Sequence, residues 1–281
     1  MRGTLYVVGT PIGNLGDLSP RAVEILGSVD FIAAEDTRVT LKLLTHFGIK
    51  KPLISYFEHN KRERGEIVLA RIESGENCAL VSDAGMPAIS DPGEMLVRQA
   101  HEREILVVAV PGPSAVVTAL AVSGMPTGRF TFEGFLSVNK KSRREHLDEV
   151  RNEHRTMVFY EAPHKLLTTL QDMLTAWGDR RLALVRELTK IHEEVRRTTL
   201  SEAVQYYTAN TPRGEFVLVI AGAAQEKVQA DSLENALLLA RSFIKSGDSA
   251  STAAKKAAAE TGRKKNEIYK ALTQNICEND Q

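Results

Sequence analysis

Two α/β domains followed by a short helical segment is the fold class this sequence predicts, and three observations predict it. Over residues 1–122, apolar runs of strand length alternate with stretches of helical period, the pattern of a mainly parallel sheet covered by helices. Over 123–223 the strand-like runs crowd together, which points to a second, mixed-sheet α+β domain. Over 232–281 the spacing is helical, and Gly262 interrupts it in the manner of a helix-turn-helix.

In the first domain the apolar runs predict strands at 4–8, 31–34, 53–55, 79–81 and 105–110. Helical spacing predicts helices at 20–26, 38–47, 61–73, 94–103 and 114–122. Turn residues gather after strands, at 9–16, 83–93 and 111–113. Ligands bind beside the carboxyl ends of strands in open parallel sheets, so these three loops are expected to share one edge. In the second domain strands are expected at 130–135, 156–160, 182–186, 193–199 and 215–221, with helices at 140–153, 165–177 and 202–207. Residues 222–231 read as a polar linker.

The chain carries 36 basic and 36 acidic side chains in 281 residues. That balance argues against wholesale coating of nucleic acid or membrane. It leaves room for a local patch: residues 241–270 hold eight basic and three acidic side chains. Only Cys78 and Cys277 are present, too few for a disulfide framework or a thiolate metal site, so no metal is expected and a reducing cytoplasm is. No apolar run reaches the roughly 18 residues of a membrane span.

The chemistry is expected in the loops. Gly9-Thr10-Pro11-Ile12-Gly13-Asn14-Leu15-Gly16 follows the first strand but meets neither the dinucleotide nor the Walker pattern. Ser82-Asp83-Ala84-Gly85-Met86-Pro87-Ala88-Ile89-Ser90-Asp91-Pro92-Gly93 is longer than a simple connection requires. Its glycines admit close backbone approach, and its prolines reduce the entropy lost on binding. Ser114, after Pro111-Gly112-Pro113, either caps the next helix or offers its hydroxyl to a ligand. Glu35-Asp36-Thr37-Arg38 is likewise either a helix cap or a carboxylate pair at the same sheet edge.

These loops, with Phe132-Glu133-Gly134-Phe135, Phe159-Tyr160-Glu161, Arg186-Glu187-Leu188-Thr189-Lys190 and Gly214-Glu215-Phe216-Val217-Leu218, resemble the tetrapyrrole methylase superfamily. Within it they are similar to the subgroup that methylates ribose in small-subunit ribosomal RNA. The resemblance runs in order along nearly the whole chain. It departs at Gly9, where the family often has proline, and at Ala162-Pro163-His164.

The resemblance implies two α/β domains with S-adenosyl-L-methionine in the cleft between them, usually in a homodimer. It implies transfer of methyl to the ribose 2′-oxygen of a decoding-region cytidine in 16S rRNA, within the small ribosomal subunit. A porphyrinoid-ring methylase of the same superfamily is the alternative. By motif, Pro11, Asp83, Gly85, Met86, Ile89, Ser114 and Ala115 are expected to line the cofactor cleft, closed by Tyr160 and Glu161. Glu35, Asp36 and Arg38 are expected to border the acceptor, because they follow the second strand at the same sheet edge; Glu161, Glu187 and His59 are further candidates for the base, and Lys190 or Arg38 for holding the adjacent phosphate. Lys140, Lys141, Arg143 and Arg144, and Arg263, Lys264 and Lys265 in the tail, are expected to contact RNA phosphates.

Overall fold

A computed structural model of the protein describes residues 2–224 and 232–277, in two compact units, Met1–Ala223 and Ala224–Gln281. The first unit opens with β1 (Thr4–Val8), α1 (Pro20–Ser28), β2 (Phe31–Ala34), α2 (Thr37–His46), β3 (Leu53–Ser55), α3 (Lys61–Glu73), β4 (Cys78–Val81), α4 (Gly93–Glu102), β5 (Leu106–Val110) and α5 (Ala115–Ser123). The five strands form one parallel sheet in the order β3-β2-β4-β1-β5. Every residue of β2 and β4 is buried, because both faces are covered and the strands are therefore apolar throughout. Phe31, Ala33 and Leu80 pack with Leu69, Ile72 and Leu96 of α3 and α4. Ile32, Ala34 and Val81 turn to the opposite face, against Leu26 of α1 and Leu44 of α2.

The unit continues with β6 (Phe130–Phe135), α6 (Lys140–Glu149), β7 (Thr156–Glu161), α7 (Pro163–Trp177), β8 (Arg181–Arg186), β9 (Glu194–Thr199), α8 (Leu200–Ala209) and β10 (Phe216–Ile220). These strands make a mixed sheet, β6-β7-β10-β8-β9, in which only β6 and β7 run parallel. One face of it packs Phe159, Leu184 and Leu218 on Leu147, Leu170 and Met173 of α6 and α7. The other face packs Val158, Ala183, Val185, Val217 and Val219 on Val116, Ala119 and Leu120 of α5. Helix α5 thus belongs by sequence to the first half and by packing to the second sheet.

Most elements shift by one or two residues from the sequence reading, and three helices differ for a local reason. Helix α6 stops at Glu149, where Arg151 and Glu153 N–H groups close tight turns on Asp148 and Val150. Helix α7 starts two residues early, with Pro163 in its first turn, where the missing N–H costs nothing. Helix α8 runs from Leu200 to Ala209 because Thr199 and Glu202 form a reciprocal capping box.

In the second unit α10 (Ala250–Thr261) and α11 (Lys265–Cys277) flank Gly262, whose φ of 67° ends α10. A third helix, α9 (Leu233–Lys245), joins them. Small side chains, among them Ala236, Ala240, Ala253 and Ala257, let the helices close on Ile268 and Leu272. Residues 225–231 of the expected linker lie outside the described residues.

Candidate active site

The loops that leave β1, β4 and β5 are tied together before any ligand arrives. Thr10 and Gly85 exchange backbone hydrogen bonds, 2.9 Å from Thr10 N–H to Gly85 O and 3.1 Å in return. Gly9 and Gly112 pack backbone to backbone; a Cβ on Gly9 would stand 2.7 Å from Gly112 Cα and 2.7 Å from Met86 Sδ. The departure from proline at position 9 therefore has a steric meaning in this chain.

Between these loops and the edge of the second sheet lies a cavity of about 510 Å³, within the size range of small-molecule sites. The first half contributes Ile12, Glu35, Ser82 to Met86, Ile89 to Asp91, Ser114 and Ala115. The second contributes Phe135, Tyr160 to Pro163, Val185, Leu188 and Glu215 to Val217. The loop after β4 holds its shape through Asp91, whose Oδ1 accepts from Ala88 N–H at 2.8 Å and Gly93 N–H at 2.7 Å. That clamp keeps Ala88 and Ser90 at φ of 68° and 63°, a region costly for residues other than glycine. Burial pushes the Asp91 carboxyl up, against the pull of those N–H groups.

Glu35 and Asp36 are neighbours in sequence with opposite electrostatics. Asp36 caps α2, accepting from Arg38 N–H at 2.8 Å, and binds the Arg38 guanidinium at 3.1 and 2.7 Å. The guanidinium, with that N–H, holds the Asp36 carboxyl down at about 2. The Asp36 backbone N–H donates to Asp83 Oδ1 at 2.9 Å. Glu35 turns into the cavity, with Oε2 3.5 Å from Asp83 N. Burial first, then the nearby Asp83 charge, raises its pKa.

Ser114 precedes α5 but makes no capping bond, so its hydroxyl is left to the cavity. Tyr160 is braced by Phe132 and Phe135, at ring distances of 5.0 and 5.3 Å. Burial raises its phenol, partly offset by the Val116 N–H at the start of α5. Glu161 is 3% exposed, and its carboxylate faces α7, accepting from Ala162 N–H at 2.8 Å and Thr169 Oγ1 at 2.5 Å.

The cavity therefore collects Glu35, Asp83, Gly85, Met86, Ile89, Ser114, Ala115, Tyr160 and Glu161, while Pro11, Asp36 and Arg38 stand outside its lining. Val185, Leu188 and Val217 also line it; in sequence they look like ordinary strand and core residues, and nothing marks them as site residues. Lys140, Lys141 and Arg144 are exposed on α6. Arg143 is committed internally, to Asp172 Oδ2 at 2.7 Å and to the Ser137 and Val138 carbonyls, which leaves it poorly placed to meet a phosphate. Lys264 and Lys265 are exposed at the start of α11, and Arg263 reaches Glu267 at 3.6 Å. Among the described residues no helix is long and apolar enough to cross a membrane.

The family model described as Tetrapyrrole (Corrin/Porphyrin) Methylases matches residues 4–204. A protein named Ribosomal RNA small subunit methyltransferase I from Synechocystis sp. is 51% identical over 268 residues, 95% of this chain and 96% of that one. One of the same name from Xylella fastidiosa is 49% identical over 271 residues, 95% and 98% of the two chains. The crystal structure of uroporphyrin-III-C-methyltransferase from Thermus thermophilus superposes with a TM-score of 0.55 at 19% identity, covering 78% of this chain and 94% of that one. At that identity the likeness speaks for the fold alone.

Proposed function

The chain belongs to the tetrapyrrole methylase family, and from that premise we propose its reaction: S-adenosylmethionine-dependent methylation of small-subunit ribosomal RNA, at the ribose 2′-oxygen of a decoding-region cytidine. The names of the relatives, at about half identity along almost the whole chain, support the rRNA acceptor.

The cavity suits the methyl donor. Its carboxylates complement a cationic sulfonium and ribose hydroxyls, and Met86, Ile89, Val185 and Val217 give apolar walls for an adenine. The uncommitted Ser114 hydroxyl adds a polar group, and Gly85, at φ 84° and without a side chain, lets a ligand approach the backbone closely. When bound, the donor supplies a methyl group on a sulfur that departs neutral. What remains for the protein is alignment, worth much of such a barrier, and removal of the hydroxyl proton.

Glu35 is the observation that carries the mechanism. A general base gains from a pKa moved toward working pH, and burial and Asp83 move Glu35 in that direction at the cavity wall. Asp91, also raised by burial, is spent on the Ala88 and Gly93 N–H groups. Asp36, pinned by Arg38, is too weak a base. Its work is to start α2 and to join Asp83 through its N–H, fixing the strand end that carries Glu35. Tyr160 and the wall from β7 and β10 keep water from the reacting atoms.

RNA phosphates are assigned to Lys140, Lys141 and Arg144 and, in the second unit, to Arg263, Lys264 and Lys265. A second copy of the chain is assigned to the exposed apolar residues of β5 and α5, Leu106, Val117 and Val122, which are 63%, 59% and 44% exposed. Helix α5 is apolar all round, which a solvated face does not call for. With ribosomal RNA as acceptor, the place of work proposed for this chain is the cytoplasm.

The test is incubation of the purified protein with tritiated donor and, separately, naked rRNA, small subunits and a porphyrinoid. Label that enters rRNA and protects one phosphodiester from alkali supports the reading. Label in the porphyrinoid alone overturns it. Leu106→Glu with Val117→Glu should halve the mass seen by light scattering; an unchanged mass overturns the dimer face.

A further inference from the structure

The loop that follows β8 ends in a bare isoleucine. Ile191 is 97% exposed, the most open large hydrophobic side chain among the described residues. On a loose surface loop that would call for no explanation, but this loop is tightly held. Thr189 N–H donates to the Glu193 carboxylate at 2.6 Å. Lys190 N–H reaches the Glu187 carbonyl, and Glu193 N–H the Lys190 carbonyl, at 3.0 and 3.1 Å. Glu187 and Thr189 sit at φ of 51° and 66°, conformations that persist only where the surroundings enforce them. The loop after β1 presses on it from below: a Cβ on Gly13 would stand 2.6 Å from Lys190 Cγ and 2.9 Å from Thr189 Oγ1. Leu188, three residues before the tip, lines the cavity.

Lys190 stands beside that tip. Its ammonium donates to Glu187 Oε1 at 2.9 Å and Glu215 Oε2 at 3.0 Å. Glu215 lines the cavity and its side chain is 80% exposed, whereas Glu187 is 19% exposed and also accepts from Glu215 N–H. One partner is thus fixed and the other can leave.

A cavity of about 510 Å³ that also has to hold the donor cannot take in a helix, so an acceptor in structured RNA has to leave its stack to be methylated. Proteins that hold nucleic acid unstacked insert a stiff apolar side chain into the gap, and isoleucine is stiff at its first torsion. We propose that the 187–193 loop displaces the acceptor nucleotide: Ile191 fills the vacated stack, and Lys190 exchanges Glu215 for the phosphodiester beside it. This rests on the assignment of ribosomal RNA as acceptor.

The experiment uses the full chain and small subunits reconstituted with rRNA carrying either the natural residue or an abasic one 3′ of the acceptor. Ile191→Ser should lower single-turnover transfer by about 10-fold or more, since unstacking is no longer supported. Donor affinity should stay within about 2-fold, and Ile191→Leu should retain the rate. The abasic substrate should restore Ile191→Ser, a rescue that a merely structural role gives no reason for. Lys190→Gln should reduce the slope of log affinity for subunits against log salt by about 0.7–0.9, one phosphate contact, and Lys190→Arg should keep it. Wild-type rates in Ile191→Ser, failure of the abasic rescue, or an unchanged salt slope in Lys190→Gln overturns the proposal. Absence of transfer by the wild-type chain to either subunit overturns the rRNA assignment and this proposal with it.

Discussion

Gly9→Ala is a single added methyl group that tests how the first half of the protein holds its loops. The new Cβ would stand 2.7 Å from Gly112 Cα, 2.8 Å from Gly112 N and 2.7 Å from Met86 Sδ. Two of those three atoms are backbone, so a rotamer change can relieve only the third. The ends of β1 and β5 must separate, in a sheet where Val8 pairs with Val110 and Gly9 N–H donates to Val110 O at 3.0 Å. Overpacking of this kind costs about 1–3 kcal/mol. Each 1 kcal/mol moves the midpoint of a unit this size by about 2–4 °C, so the first unit should melt some 2–12 °C lower. Gly112→Ala meets Gly9 Cα, O and C at 2.8–2.9 Å and should cost the same. Because one separation of the strands accommodates both methyl groups, the double substitution should cost less than the sum. Gly27→Ala, in α1 with nothing within 4 Å of the new carbon, should instead stabilise by about 0.5–1 kcal/mol. Urea unfolding followed by fluorescence measures all four, and titration of the donor reports the displaced Met86. Gly9→Ala with wild-type stability and donor affinity would refute the claim that these loops meet backbone to backbone.

Further outcomes concern the acidic groups. Glu35→Gln should lower transfer by about 10²–10⁴-fold; it should also stabilise the protein at neutral pH, because folding disfavours ionised Glu35, a penalty that appears as pH rises above 4.5. Reduced activity without that gain in urea midpoint would mean the carboxylate is not buried in the folded state. Asp83→Asn removes a negative neighbour of Glu35, so the acid limb of the transfer rate should move to lower pH; a limb that stays put would exclude Glu35 as the titrating base. Asp36 has a depressed pKa, so its contribution is present above 3.8 and is lost as pH falls toward about 2. The stability gap between wild type and Asp36→Asn should accordingly close over that interval in acid titrations. Glu161→Ala strands the Thr169 hydroxyl and the Ala162 N–H inside the protein and should cost about 1–3 kcal/mol by urea unfolding.

Much of this architecture could be read from the chain because its parts obey simple periods. Strands β2 and β4 are buried on both faces, so Phe31-Ile32-Ala33-Ala34 and Cys78-Ala79-Leu80-Val81 carry no polar residue. The loops after β1, β4 and β5 stand out by their glycine and proline. Helix α5 was harder to place. Its run Ala115-Val116-Val117-Thr118-Ala119-Leu120 has no polar face, so periodicity could not say that it covers the second sheet rather than the first. The same reason hides Val185, Leu188 and Val217: a residue that walls a cavity on one side of a strand has the composition of one that fills a core. Arg143 hides its pairing in another way. It sits in a run of cations, and its partner Asp172 comes from α7, 29 residues away, a pairing no local pattern reveals.

The roles of Glu35 and Asp36 follow from one structural fact, that the chain leaves β2 and enters α2 between them. Successive side chains at a strand end point to opposite sides, so one carboxylate goes inward and the other outward. The outward one finds the helix N-terminus and Arg38, both of which favour its charge. The inward one finds the cavity wall, Asp83 and Asp91, all of which disfavour it. Two like groups separated this way give an anchor and the base proposed above. Asp83 couples them, accepting from the Asp36 N–H while its own N–H faces Glu35. The loop after β4, which carries the densest run of cavity residues, therefore also adds, after burial, to the upward shift of Glu35, the proposed base.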